Sequence, residues 1–128
     1  MPGATGSDVI VLGRGAGREY AFGAMRGVFK ADGAETGDAY CVSEWSVAPG
    51  GAGPGAHSHP ENVELFLVTE GTMSFLVGED WIDAPAGTFL RIPAGVTHDF
   101  ANRTDAPATA FNVFIPGGFE RLFQAPER

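Results

Sequence analysis

Apolar residues recur along the chain at every second position, in short runs broken by glycine and proline. Ala39 to Val47 shows the pattern best: Cys41, Ser43, Trp45 and Val47 share one face, and Tyr40, Val42, Glu44 and Ser46 the other. Alternation of this period marks a β-strand with one side buried. The same reading predicts strands at Asp8–Leu12, Tyr20–Phe22, Met25–Lys30, Leu65–Val68, Thr72–Val77, Trp81–Asp83, Thr88–Ile92, His98–Asn102 and Ala108–Ile115. Asp32-Gly33, Thr36-Gly37-Asp38, Pro49–Gly55, Gly78-Glu79-Asp80, Pro85-Ala86-Gly87, Pro93-Ala94-Gly95 and Arg103–Ala106 read as loops and turns. After Gly117-Gly118, Phe119 to Phe123 reads as a single helical turn. No long helical period, linker or repeat interrupts this, so the pattern is that of an all-β sandwich or barrel. Residues 1–7 are expected to be a flexible N-terminus and 8–128 one domain.

Composition narrows the function classes. A chain of 128 residues suits one domain that buries roughly two-thirds of its unfolded surface. A formal charge of −8 argues against nucleic acid or an anionic membrane as partner. No apolar run approaches the roughly 20 residues of a membrane span. The N-terminal MPGATGSD lacks a basic region followed by an apolar core, so no secretory signal is expected. Cys41 is the only cysteine and cannot form an internal disulfide, which suits a cytoplasmic location. In its alternating run it reads as a small buried hydrophobe. Gly13-Arg14-Gly15-Ala16-Gly17 reads as a glycine turn, because Arg18 stands where a dinucleotide loop needs its last glycine.

The chemistry concentrates in Gly51–Gly71, GAGPGAHSHPENVELFLVTEG. His57 and His59 stand one residue apart, so on a strand both imidazoles point to one face. Pro60 ends that strand, since it has no N–H to donate. Glu64 opens the next apolar run and returns its carboxylate to the same point if the two strands form a hairpin. Imidazoles and a carboxylate converging in apolar surroundings are a ligand set for a transition metal. Gly87–Asn102, GTFLRIPAGVTHDFAN, carries the third histidine, His98.

These two stretches resemble the two motifs of the cupin superfamily. The first has glycine, five residues, His-x-His, four residues, glutamate, six residues and glycine, at Gly51, His57, His59, Glu64 and Gly71. The second has glycine, five residues, Pro-x-Gly, two residues, histidine, three residues and asparagine, at Gly87, Pro93, Gly95, His98 and Asn102. The resemblance implies a double-stranded β-helix, a jelly roll with the metal inside its mouth. It implies His57, His59, Glu64 and His98 as ligands of one divalent transition metal per chain: Fe, Mn, Ni, Co, Cu or Zn. Phase from Glu64 and His98 places Phe66, Val68 and Phe100 on the cavity side, where they would meet a small apolar or aromatic substrate. Trp45 and Tyr40 lie on opposite faces of their strand, so at most one of them lines the site. Arg91 and Asn112 are polar residues in apolar strands, placed either beside the site or at solvent edges. Asn102 is expected to satisfy backbone groups at a turn.

The run ADGAETGDAYCVSEW and the closing IPGGFERLF are similar to small bacterial cupins of the quercetin-dioxygenase-like group. That similarity implies a dioxygenase acting on an aromatic or polyketide-like molecule, with Glu64 both ligand and catalytic proton acceptor. The fold also hosts cyclases, isomerases, lyases and non-catalytic binding modules. Outward apolar residues such as Leu65 and Leu67 need cover, from which a homodimer is expected.

Overall fold

A computed structural model describes residues 9–122 of the chain. Within them lie the strands β1 (Arg18–Phe22), β2 (Met25–Ala31), β3 (Cys41–Val47), β4 (Val63–Glu70), β5 (Thr72–Val77), β6 (Asp80–Pro85), β7 (Phe89–Ile92), β8 (His98–Ala101) and β9 (Ala108–Ile115). All their pairings are antiparallel. One sheet has six strands in the order β1-β2-β3-β9-β4-β7, and a second has three in the order β6-β5-β8. Together they form a jelly-roll barrel.

Period-2 alternation decides which residues fill it. On β3 the side chains of Cys41, Ser43, Trp45 and Val47 are buried and the intervening ones only partly so. On β4, Glu64, Phe66 and Val68 point inward. The inward rings of Phe29, Trp45, Phe66, Phe75, Phe100 and Phe114 pack with Met73 and Ile92 into one core fed by both sheets. Burial of each such ring favours the fold by about 1.5–3 kcal/mol. The outward set forms rows across the large sheet, because Leu67 faces Phe89 and Phe111 while Leu65 faces Arg91 and Val113. Arg91 is thus an exposed outer-face residue, away from the candidate site.

Two glycines show why the loops need them. Gly71 joins β4 to β5 at φ +68, and a Cβ there would stand 2.2 Å from the Pro107 carbonyl oxygen. Gly53 carries the histidine loop over β8 so closely that a Cβ would meet the Phe100 oxygen at 1.9 Å. Asn102 is buried; its amide donates to the carbonyls of Val47 (3.0 Å) and Ala106 (2.7 Å), and its oxygen accepts from Thr104 N–H (2.9 Å). It ties the turn after β8 to the end of β3, the backbone role its sequence position suggests.

Three elements differ from the sequence reading. Residues 9–12 form no strand; Ile10 and Leu12 border a groove with Tyr40, Val42 and Phe111 on the outer face of the large sheet, where no strand edge is free to pair. Asp8, residues 1–7 and Phe123 lie outside the described residues. Gly33–Thr36, read as loop, is a short helix α1. Asp32 caps it by accepting from Ala34 N–H at 3.1 Å, and Glu35 returns the bond to Asp32 N–H at 2.9 Å. Finally, the His-x-His pair does not form a strand hairpinned to β4. His57 instead makes an isolated bridge with His98, while β4 lies between β9 and β7. Among the described residues no helix is long and apolar enough to cross a membrane. Phe119–Leu122 forms a closing 3-10 turn.

Candidate metal centre

The four residues that the cupin resemblance implies as ligands come from three parts of the fold. His57 and His59 sit on the loop after β3, Glu64 opens β4 and His98 opens β8. Backbone bonds fix the loop: His57 N–H donates to His98 O (3.0 Å), His98 N–H to His57 O (2.8 Å) and Gly95 N–H to His59 O (2.8 Å). Pro60 therefore ends a single bridge rather than a strand. The candidate ligand atoms of His57, His59, Glu64 and His98 all lie within 4.8 Å of one another.

The imidazoles are oriented by their far nitrogens. His57 Nδ1–H donates to Gly55 O at 2.6 Å, and His98 Nδ1–H to Val96 O at 2.9 Å. With Nδ1 so engaged, Nε2 is the atom each of these rings turns toward the cluster. His59 is held by rings instead, edge-on to Phe114 at 4.9 Å and to Phe119 at 6.2 Å. Its Nε2 is buried with no hydrogen-bond partner; Glu64 Oε1 is 3.4 Å away, without hydrogen-bond geometry.

Glu64 is only 2% exposed. Its Oε1 lies 2.6 Å from His98 Nε2, and its Oε2 accepts from Asn112 Nδ2 at 2.8 Å. Burial by itself would raise this carboxyl, but the facing imidazoles of His59 and His98 and the Asn112 amide hold it at about 2. Burial also works against the charged form of His98, yet Glu64 and the Val96 carbonyl raise it above 6.5. Burial, joined by the imidazoles of His98 and His59, lowers His57 against the pull of the Gly55 carbonyl. A neutral His98 would set a lone pair against a carboxylate lone pair, so this contact requires a cation between the two atoms, a proton or a metal ion. The orphaned Nε2 of His59 aims at the same point. Three imidazoles and a carboxylate, with one buried donor atom unsatisfied, fit a transition metal.

The cluster lies in a cavity of about 360 Å³, within the range of small-molecule sites. Phe66 and Phe100 line it, joined by Met25, Trp45 and Phe119. Val68, expected on the same wall, is buried in the core and is not among the lining residues. It shares a face with Phe66 but lies four residues beyond Glu64, roughly 13 Å along the strand. Trp45 is the inward member of the Trp45/Tyr40 choice; its indole N–H donates to Ser43 Oγ at 2.9 Å. Pro54, Ser58 and Leu122 are exposed lining residues and mark the mouth. Phe119 could not be placed from sequence, because its position follows from Phe119 stacking on Phe114 at 4.5 Å. Glu120 anchors that turn by accepting from Gly33 N–H at 3.1 Å, and Arg121 pairs with Asp38 at 2.6 Å. No lysine or arginine occurs among the described lining residues.

Comparison with known proteins agrees with this geometry. Residues 43–114, more than half the chain, match the family model described as Cupin domain. Germin-like protein subfamily 2 member 1 of Arabidopsis thaliana is 34% identical over 84 residues, covering 59% of this chain. The match spans only 38% of that relative's length. Among solved structures, an RmlC-like cupin from Shewanella frigidimarina superposes with a TM-score of 0.74 at 16% identity, covering 90% of this chain and 96% of its own. The polyketide cyclase RemF from Streptomyces resistomycificus gives 0.74 at 19% identity, covering 84% and 80%.

Proposed function

The chain belongs to the cupin family, and from that premise we propose that it is a metal-dependent enzyme acting on a small, uncharged aromatic or polyketide-like molecule, as a quercetin-dioxygenase-like dioxygenase. One observation carries the reading: the His57, His59, Glu64 and His98 cluster opens into an apolar cavity with no lysine or arginine among its described lining residues. A dicarboxylate or sugar phosphate would find no lysine or arginine there, and the chain's −8 charge would repel it. An aromatic ring would find the faces and edges of Phe66, Phe100, Trp45 and Phe119.

His57, His59, Glu64 and His98 would hold one divalent transition ion. Bound there, it supplies Lewis acidity and, where redox-active, the electron transfer that O2 chemistry requires. The aromatic wall orients the substrate and excludes water. With Oε2 held by Asn112, Glu64 would take a substrate hydroxyl proton at Oε1, which must loosen from the ion to do so.

The test is a screen of hydroxylated aromatic compounds against protein loaded with each of Fe, Mn, Ni, Co, Cu and Zn, followed with an oxygen electrode. Uptake of O2 coupled to substrate loss supports the dioxygenase. Turnover without O2, or with Zn, overturns it in favour of a cyclase, isomerase or lyase. Binding without turnover on any metal would make the chain a binding module. Glu64→Gln should keep metal at high metal concentration and lose activity by about 100-fold if Glu64 accepts the proton.

We also propose a homodimer. Val9 and Val11 are 89% and 86% exposed, and Leu67 and Phe89 leave an apolar row on the outer sheet face. Sedimentation as a monomer at micromolar concentration would refute it.

A further inference from the structure

Asn112 is 0% exposed, at the centre of the large sheet between Ser43 of β3 and Phe66 of β4. Glu64 lies opposite Phe114, so Asn112 is its diagonal neighbour on the inner face. The Asn112 amide donates to Glu64 Oε2 at 2.8 Å, with a longer contact to Leu65 O at 3.5 Å. Its own Oδ1 is buried without a hydrogen-bond partner. An orphaned buried carbonyl costs about 1–3 kcal/mol, so stability alone would favour an apolar side chain of the same volume. Nor can the amide turn over to satisfy it, because Oδ1 would then oppose the ionised Oε2. The group is therefore held in a costly orientation by its bond to Glu64.

A carboxylate can offer an ion one oxygen or two. Glu64 Oε1 faces His98 and His59, while Oε2 is turned to Asn112. We propose that Asn112 is a positioning residue that restricts Glu64 to one-oxygen ligation and so keeps a coordination position open to substrate. This rests on the metal-centre reading above. Without the Asn112 donor, Oε2 is free to rotate toward the ion and take the place a substrate atom would occupy.

Asn112→Leu keeps the volume and removes the donor. Wild type and variant are loaded with Co(II), and metal affinity, the visible Co(II) spectrum and azide binding are measured. The expected result is metal retained by both, an altered Co(II) spectrum in the variant and azide binding weakened by about 10-fold or more, the scale seen when an outer hydrogen-bond partner is lost. An unchanged spectrum and unchanged azide affinity overturn the role of Asn112 while leaving the metal centre standing. Failure of wild type itself to bind Co(II) overturns both. If the variant does not fold, the metal-minus-metal-free infrared difference spectrum of wild type decides. Widely separated carboxylate stretches support one-oxygen ligation, and closely spaced ones overturn it.

Discussion

Glu64→Gln in the metal-free protein should convert a bell-shaped stability difference into a measurement of the Glu64–His98 contact. The carboxyl sits at about 2 instead of its ordinary 4.5. At about 1.4 kcal/mol per pH unit, that difference favours the folded state by about 3 kcal/mol when the group is ionised. The contribution is fully present above 4.5 and is lost as pH falls through about 2. His98, raised above 6.5, gives the other limb: its share is complete below 6.5 and is lost as pH rises through its folded value. The acid limb gathers the contacts of Glu64 with His59, His98 and Asn112; the His98 contact, 2.6 Å long, is shared by both limbs and its energy is counted once. Glutamine can donate its amide N–H to neutral His98 and accept from Asn112, so the variant should fold with no ionisable group at position 64. The assay is urea denaturation of both chelated proteins across this range. Wild-type stability minus variant stability should climb by about 3 kcal/mol from about pH 2 to about pH 5, hold, and decline above about 6.5. Ionisable groups remote from Glu64 and common to both proteins cancel in the difference. A flat difference, or one still rising above 6.5, would refute an ionised Glu64–His98 pair.

Other outcomes follow from single residues. His57→Ala or His59→Ala should weaken metal binding by more than the roughly 10- to 100-fold cost of losing an outer hydrogen-bond partner, as read by metal analysis after dialysis. Cys41 is fully buried and burial pushes its thiol up to about 12, so it should resist a disulfide reagent until urea unfolds the chain; rapid labelling of native protein would contradict this. Gly27→Ala would place a Cβ 2.5 Å from the Trp45 ring, so it should destabilise by about 1–3 kcal/mol in denaturant titration.

Sequence pattern revealed faces better than places. The inward set of β3 was legible because burial follows strand alternation, residue by residue. His57, His59 and Glu64 were legible from their spacing around a turn, and His98 joined them through the resemblance of its stretch to the second cupin motif. Val68 shows the limit: alternation gives its face but not its depth along the barrel. The hairpin expected between the His-x-His segment and β4 failed because the loop's backbone groups are satisfied by β8 and its flank instead. Helix α1 is one turn long, too short for a helical period, and its only signal was Asp32 three residues before Glu35 with Gly37 behind. Phe119 reaches the cavity through tertiary stacking that no local pattern encodes.

The bridge between His57 and His98 has a mechanical consequence. It fastens the histidine loop to the three-stranded sheet, whereas Glu64 belongs to the six-stranded one. The cluster thus straddles the seam between the two sheets at the mouth. Without an ion, the Glu64–His98 hydrogen bond spans that seam. With an ion, several coordinate bonds would span it, riveting the two edges at a set spacing. An ion held there would add to the tie that Asn102 already makes from the end of the three-stranded sheet to the Val47 carbonyl of the six-stranded one.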